Sequence, residues 1–199
     1  MIKAIIFDMG GVVTSRGTLH PLAVRFARMM GLEEAEVHDV LDKYWRMWEV
    51  EKINEREFFE NVARDLGASE RKDKLREVMY NMVEPFEGIL ALAKKLRKNY
   101  KIFALTNHAR EFFDFLEEKY GFEKQFDGIF KSYEARLAKP DSKFFRHMLK
   151  ETGLKPEECV FIDDSEKNVK AAGMLGFKAI LHKSLKQTEK EFKELGVNF

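Results

Sequence analysis

From Glu87 onward, short apolar runs alternate with stretches of helical periodicity, and that alternation restricts the chain to few architectures. Helical spacing over 87–98 precedes a strand at 101–106, and a helix at 109–119 precedes one at 128–132. A helix at 142–152 then leads to a strand at 159–163, one at 166–175 leads to 178–182, and a final helix is expected over 185–195. Strands separated by helix-length connections pair in parallel through right-handed crossovers, which puts helices on both faces of one sheet. The run Ala4-Ile5-Ile6-Phe7 adds a first strand at 3–8, and its lack of polar alternation marks it as buried on both faces. The expected fold class is α/β, with a doubly wound parallel sheet.

Between the first strand and Glu87 the pattern is helical throughout. Leu22, Val24, Phe26, Ala27 and Met30 share a face that Gly31 ends. Val37, Leu41, Tyr44, Trp45 and Trp48 form a second face, Phe58, Phe59, Val62, Ala63 and Leu66 a third, and 71–83 a fourth helix. Residues 16–83 are therefore expected as an all-helical insertion, with 1–15 and 84–199 as the α/β core. Trp45 and Trp48 are expected to pack inside the insertion rather than to cage a substrate.

Polar groups collect where the strands end. Asp8 follows Phe7 and precedes Gly10-Gly11, where small residues let a ligand approach the backbone. A carboxylate so placed can be a nucleophile, a metal ligand or a turn cap. Thr106 and Asn107 follow Ile102-Phe103-Ala104-Leu105 and suit either a phosphate oxygen or the N-cap of the next helix. Lys139 precedes Pro140, and a lone lysine is ordinarily a solvated charge. Asp163 and Asp164 end a strand together; adjacent carboxylates repel unless a cation or a helix N-terminus relieves them, and hard oxygen ligands favour Mg²⁺. In an open α/β sheet such ends converge on one crevice.

Composition removes several alternatives. Thirty-five Lys and Arg against 34 Asp and Glu leave a formal charge of +1, so there is no basic field for nucleic acid or for an anionic membrane. No apolar run approaches bilayer length, and the four apolar residues before Asp8 are too few for a signal-peptide core. The single cysteine, Cys159, excludes internal disulfides and a cysteine-rich zinc site; it reads as a buried hydrophobe and suits a reducing, cytoplasmic setting. The Lys- and Glu-dominated charge, with glutamine only at Gln125 and Gln187, matches the composition bias of hyperthermophile proteins.

Taken in order, the four segments resemble the motifs of the haloacid dehalogenase-like (HAD) hydrolase superfamily. Phe-Asp-Met-Gly-Gly-Val is similar to the first motif, Leu-Thr-Asn to the second, Lys-Pro-Asp to the third and Phe-Ile-Asp-Asp-Ser-Glu-Lys-Asn-Val to the fourth. The resemblance covers nearly the whole chain, and it implies a Rossmann-like core with a helical cap inserted after the first motif. It implies Asp8 as the nucleophile, Thr106, Asn107 and Lys139 as phosphoryl-binding groups, and Mg²⁺ held by Asp8, the Gly10 carbonyl, Asp164 and Asp163, with Asn168 supporting the loop. The implied reaction is hydrolysis of small phosphorylated metabolites through an aspartyl phosphate; the substrate and the oligomeric state are left open.

The chain departs from that pattern at Gly10. Phosphatases of the superfamily usually carry there a second aspartate that protonates the leaving oxygen, a contribution of about 10² to 10⁴ in rate. His20 and His108 are the candidate substitutes. Two rival readings stay open. A metal-independent 2-haloacid dehalogenase would also lack the second aspartate, although its first motif usually has an aromatic residue at this position and its fourth motif does not look like Asp163-Asp164. A non-catalytic phosphate- or partner-binding module is the other.

Overall fold

The computed structural model describes residues 1–15 and 19–199. Among these, β1 (Ala4–Phe7), β2 (Lys101–Thr106), β3 (Gly128–Lys131), β4 (Cys159–Asp163) and β5 (Lys178–Leu181) pair in parallel in the order β3-β2-β1-β4-β5. The chain builds outward from β1 to β3 and then returns to the other side of β1, so the order reverses between β1 and β4. A ligand crevice forms at such a switch point, beyond the C-terminal strand ends.

β1 has every residue buried because helices cover both sheet faces. Ile5 and Phe7 point toward α5 (Glu87–Leu96) and α6 (Arg110–Tyr120) and share a core with Ile89, Leu92 and Phe112. Ala4 and Ile6 point the other way, toward Phe144, Phe145 and Met148 of α8 (Ser142–Thr152). The period-2 alternation of a strand makes this division. The remaining core helices are the short α7 (Ser132–Ala135), which the periodicity does not announce, then α9 (Glu166–Met174) and α10 (Leu185–Glu194). Cys159 is a free, buried thiol, as expected of a small hydrophobe, and burial pushes its pKa up to about 12.

Between β1 and β2, α1 (Leu19–Met30), α2 (Glu34–Trp48), α3 (Glu55–Asp65) and α4 (Lys72–Tyr80) pack in succession, and α5 follows. A capping box between Asn54 and Glu57 starts α3, satisfying backbone N–H groups that the first turn leaves free. The expected start of the insertion, at residue 16, lies outside the described residues. Its two flanks meet where the Ser15 N–H donates to the Glu84 carbonyl at 2.6 Å and the Phe86 N–H to the Val13 carbonyl at 2.7 Å.

The aromatic residues of the insertion do not stay within it. Trp48 stacks on Phe58 at 4.5 Å, as expected, but its indole N–H also donates to Glu111 Oε2 of α6 at 2.9 Å. Trp45 meets Phe112 edge-on at 6.3 Å, and Tyr80 meets Phe112 at 5.2 Å and Phe115 at 4.7 Å. One apolar cluster therefore runs from β1 through α6 into α2, α3 and α4. Edge-to-face aromatic pairs add about 0.5–1.5 kcal/mol each beyond area burial, so the four helices are seated firmly over the strand ends.

Candidate active site

Sheet register builds the site. Phe7 pairs with Ile162 on one side and with Ala104 on the other, so the next residue, Asp8, stands level with Asp163 and with Leu105, one short of Thr106. The backbone N–H of Asp8 donates to the Ile162 carbonyl at 2.8 Å, which fixes the strand end. Asp164, one residue further, comes over Gly11. Gly11 has φ +85°, and a Cβ there would lie 2.3 Å from Asp164 Oδ2 and 2.7 Å from its Cγ. Glycine is required at this position both for the left-handed backbone and for the close approach of the carboxylate.

Lys139 joins the carboxylates. Its Nζ lies 2.7 Å from Asp8 Oδ1 and 2.8 Å from Asp163 Oδ2, with the side chain almost wholly buried. The lysine is placed by Asn107: the Lys139 N–H donates to Asn107 Oδ1, and Asn107 Nδ2 donates to the Lys139 carbonyl, both at 2.9 Å. This reciprocal pair crosses from the end of β2 to the Lys139–Pro140 segment, whose peptide bond is cis. The Asn107 side chain is thus committed to positioning Lys139, and only its backbone is left for a phosphate.

Asp163 is held by three donors. Its Oδ1 accepts from the Ser165 N–H at 2.8 Å and from Asn168 Nδ2 at 3.1 Å, and its Oδ2 from Asn168 at 3.0 Å and from Lys139. Three protein donors, Ser165 N–H, Asn168 Nδ2 and Lys139 Nζ, thus hold this carboxylate in place. Asp163 thereby orients Lys139 and the entry to α9, and its oxygens stay within reach of those of Asp8 and Asp164, where it is expected as a metal ligand. Asn168 supports the loop, as expected.

Asp8, Asp163 and Asp164 each place an oxygen within 4.8 Å of the others'. Three carboxylates against one ammonium leave a formal charge of −2 in a buried setting. Burial raises the Asp8 pKa well above the carboxylate range, and the repulsion of Asp163 and Asp164 adds to it, outweighing the pull of Lys139. Burial opposes the Lys139 ammonium, but attraction to Asp163 and Asp8 overcomes that and raises its pKa. A divalent cation against Asp8 and Asp164 would relieve the excess charge, and oxygen donors suit Mg²⁺. The residues present therefore fit the ion.

Above these groups lies an open cavity of about 610 Å³. Asp8, Gly10, Thr106, Asn107, Lys139 and Asp164 line its sheet side, and Asp42, Trp45, Arg46 and Glu49 line it from α2 and the residue that follows α2. Trp45, expected inside the insertion, therefore also faces the cavity. Thr106 Oγ1 lies 2.6 Å from His108 Nδ1. Thr106 does not cap α6, whose N-cap is Ala109 and receives no side-chain bond.

The two candidate histidines stand in different settings. His108 is buried against Phe112, and burial, with Lys139 adding to it, lowers its pKa to about 3, which favours the neutral imidazole that shares a hydrogen bond with Thr106. His20 borders the cavity, but its side chain is 71% exposed and its Nδ1 lies 3.1 Å from Glu34. A cavity residue that the sequence analysis did not single out is Glu49. It is only 7% exposed, and burial raises its pKa to about 7 against a hydrogen bond from Trp45 and the attraction of Lys139 and Arg46. One glutamate among many, 41 residues from Asp8, carries no local signal of this role.

A parallel α/β sheet that gathers a carboxylate cluster, a threonine and a buried lysine at its switch point offers a crevice suited to an anion and a cation. The family model for haloacid dehalogenase-like hydrolases matches residues 2–176, and the chain belongs to that family. It is 28% identical over 177 residues to a sesquiterpene phosphatase of Aspergillus oryzae, covering 87% of this chain and 86% of the relative. It is 27% identical over 194 residues to a D-ribitol-5-phosphate phosphatase of Bacteroides thetaiotaomicron, covering 89% and 90%. A HAD family enzyme of B. thetaiotaomicron superposes with a TM-score of 0.75 at 26% identity over 92% of this chain and 94% of that one. The complex of that enzyme with magnesium and inorganic phosphate superposes at 0.73 and 23% identity over 92% and 95%, a likeness of fold. Among the described residues no helix is long and apolar enough to cross a membrane.

Proposed function

We propose that this protein is a Mg²⁺-dependent phosphatase of small phosphorylated metabolites, acting through an aspartyl phosphate on Asp8. The observation that carries the reading is the Lys139 ammonium between Asp8 and Asp163, with Asp164 beside them and Thr106 at the neighbouring strand end. The phosphatase relatives that match most of the chain support it.

On this reading Asp8 and Asp164 hold the ion with the Gly10 carbonyl, and when bound the ion supplies charge neutralisation for the carboxylates and the phosphate. Asp8 attacks phosphorus in line with the leaving oxygen. Lys139, the Thr106 hydroxyl and the Asn107 backbone N–H balance charge on the equatorial oxygens, which is where positioning and electrostatics do most in phosphoryl transfer. His108 keeps the Thr106 hydroxyl oriented by sharing a hydrogen bond with it. Water then cleaves the aspartyl phosphate. Residues 16–83 serve as a cap over the mouth of the 1–15 and 84–199 core, with the Ser15–Glu84 pairing as the point where the chain leaves and returns. Specificity comes from the α2 side of the cavity.

The test is Mg²⁺-dependent phosphate release from an aryl phosphate by the wild type, with Asp8→Asn as control. Equal release by both proteins would remove the nucleophile. Chloride release from 2-chloropropionate in EDTA would replace the reading with dehalogenation, and no turnover of any phosphorylated metabolite in a panel would favour a binding role.

A further inference from the structure

Resting on the phosphatase reading, we infer that Glu49, delivered from the helical insertion, is the proton donor and acceptor that replaces the side chain missing at Gly10. Position is the first argument. The phosphate-binding groups form the floor of the cavity, so the leaving group of a phosphate ester bound there points up toward the end of α2. Glu49 stands at that end and lines the same cavity.

Its backbone is bolted to the floor. The Ser132 hydroxyl donates to the Glu49 carbonyl at 2.6 Å, and the His108 N–H donates to the same Ser132 oxygen at 3.1 Å. Ser132 and His108 are both buried, so the glutamate is tied through two hydrogen bonds to the loop that carries Thr106 and Asn107. A surface glutamate at a helix end has no comparable anchorage.

Elimination is the second argument. Among the described carboxylates lining the cavity, Asp8 and Asp164 face the phosphate and the ion. Asp42 is tied to Arg46, whose Nε lies 2.9 Å from Asp42 Oδ2. Asp163 beneath them is held by Lys139, Ser165 and Asn168, and Gly10 has no side chain. Glu49 is left, and no ion pair within 4 Å is formed by it among those described.

The groups facing Glu49 are Lys139 and the neutral His108 from the core, and Trp45, Arg46 and Asp42 from its own helix. Burial dominates this balance and leaves the carboxyl titrating near neutrality, where Brønsted behaviour makes one group both an adequate acid and an adequate base.

The proton balance closes over one turnover. As the Asp8–phosphorus bond forms and the phosphorus–oxygen ester bond breaks, the Glu49 proton passes to the leaving oxygen and releases an alcohol. Glu49 is then a carboxylate. It takes a proton from the water that attacks phosphorus while the Asp8–phosphorus bond breaks, which frees inorganic phosphate and restores both side chains. The substrates that need this group are monoesters of poorly acidic, aliphatic alcohols. An aryl phosphate, whose leaving group departs without a proton, needs it little.

The experiment compares wild type, Glu49→Gln and Asp8→Asn on p-nitrophenyl, phenyl and benzyl phosphate with Mg²⁺, after thermal melts establish that Glu49→Gln is folded. Wild type should depend weakly on the acidity of the leaving group, with kcat/KM for benzyl phosphate falling above about pH 7. Glu49→Gln should lose roughly 10² to 10⁴ on benzyl phosphate and less than about tenfold on p-nitrophenyl phosphate, and should lose the alkaline limb. A wild type already steep in leaving-group acidity, or a variant that loses all three substrates equally or none, would overturn the assignment. Asp8→Asn separates the two claims: if it still hydrolyses the esters, the aspartyl-phosphate route on which this inference rests fails, whereas an inactive Asp8→Asn beside an unaffected Glu49→Gln removes only Glu49.

Discussion

Replacing Gly11 with alanine perturbs the site through one methyl group whose position is known. The added Cβ would lie 2.3 Å from Asp164 Oδ2, where the closest comfortable contact is 3.4 Å, so Asp164 must retreat by about 1 Å. Alanine at φ +85° also costs roughly 1–2 kcal/mol of backbone strain. A displacement of about 1 Å in a reacting constellation costs on the order of 10²-fold in rate. Gly11→Ala should therefore raise the Mg²⁺ concentration for half-maximal activity by at least about tenfold, lower kcat by about 10²-fold, and lower the melting temperature by several degrees. The assay is a Mg²⁺ titration of p-nitrophenyl phosphate hydrolysis alongside calorimetry. An unchanged Mg²⁺ dependence in a folded Gly11→Ala protein would refute Asp164 as the ligand that the glycine makes room for.

Other perturbations have defined outcomes. Lys139→Met removes the ammonium that bridges buried Asp8 and Asp163 and should cost about 3–5 kcal/mol in urea unfolding without Mg²⁺; a change below about 1 kcal/mol would deny the pair a structural role. His20→Ala should leave kcat within roughly threefold, since a general acid would be worth far more; a larger loss would return His20 to the mechanism. Asp65 accepts from Tyr44 Oη and is flanked by Lys43 and Arg64, and the Tyr44 bond first, then the Lys43 bond, lowers its pKa to about 2. A depressed carboxylate pKa adds stability above the unfolded value, and that stability disappears as pH falls through the folded value. Asp65→Asn should thus lower the urea midpoint at pH 6 and make little difference near pH 2, between which the wild-type advantage fades; a gap that does not narrow would contradict the linkage.

Much of the core was legible because its signals are local. The runs at 101–106 and 159–163 and the helix at 142–152 have the bounds that periodicity gives them, and polar residues at Asp8, Thr106 and Asp163 mark the strand ends that parallel register brings together. What was not legible depends on contacts distant in sequence. Whether the Asn107 side chain faces a phosphate or Lys139 is decided by the segment at 139, and the three donors that hold Asp163 come from Lys139, Ser165 and Asn168. Helical periodicity told that Trp45 and Trp48 are buried but not against what; α6 supplies a ring neighbour of Trp45 and the hydrogen-bond acceptor of Trp48. Glu49 follows an amphipathic helix, a position that is ordinarily solvated, and the tertiary bond from Ser132 to its carbonyl has no local signal in the sequence.

The central claim is that Asp8 carries the phosphoryl group. Rapid quenching of a reaction with Mg²⁺ and p-nitrophenyl phosphate, followed by borohydride reduction and peptide mass spectrometry, tests it directly. The account predicts homoserine at position 8, formed only when both substrate and Mg²⁺ are present and absent in Asp8→Asn. Steady turnover with no reduced residue at position 8, or with the modification on another carboxylate, would contradict it.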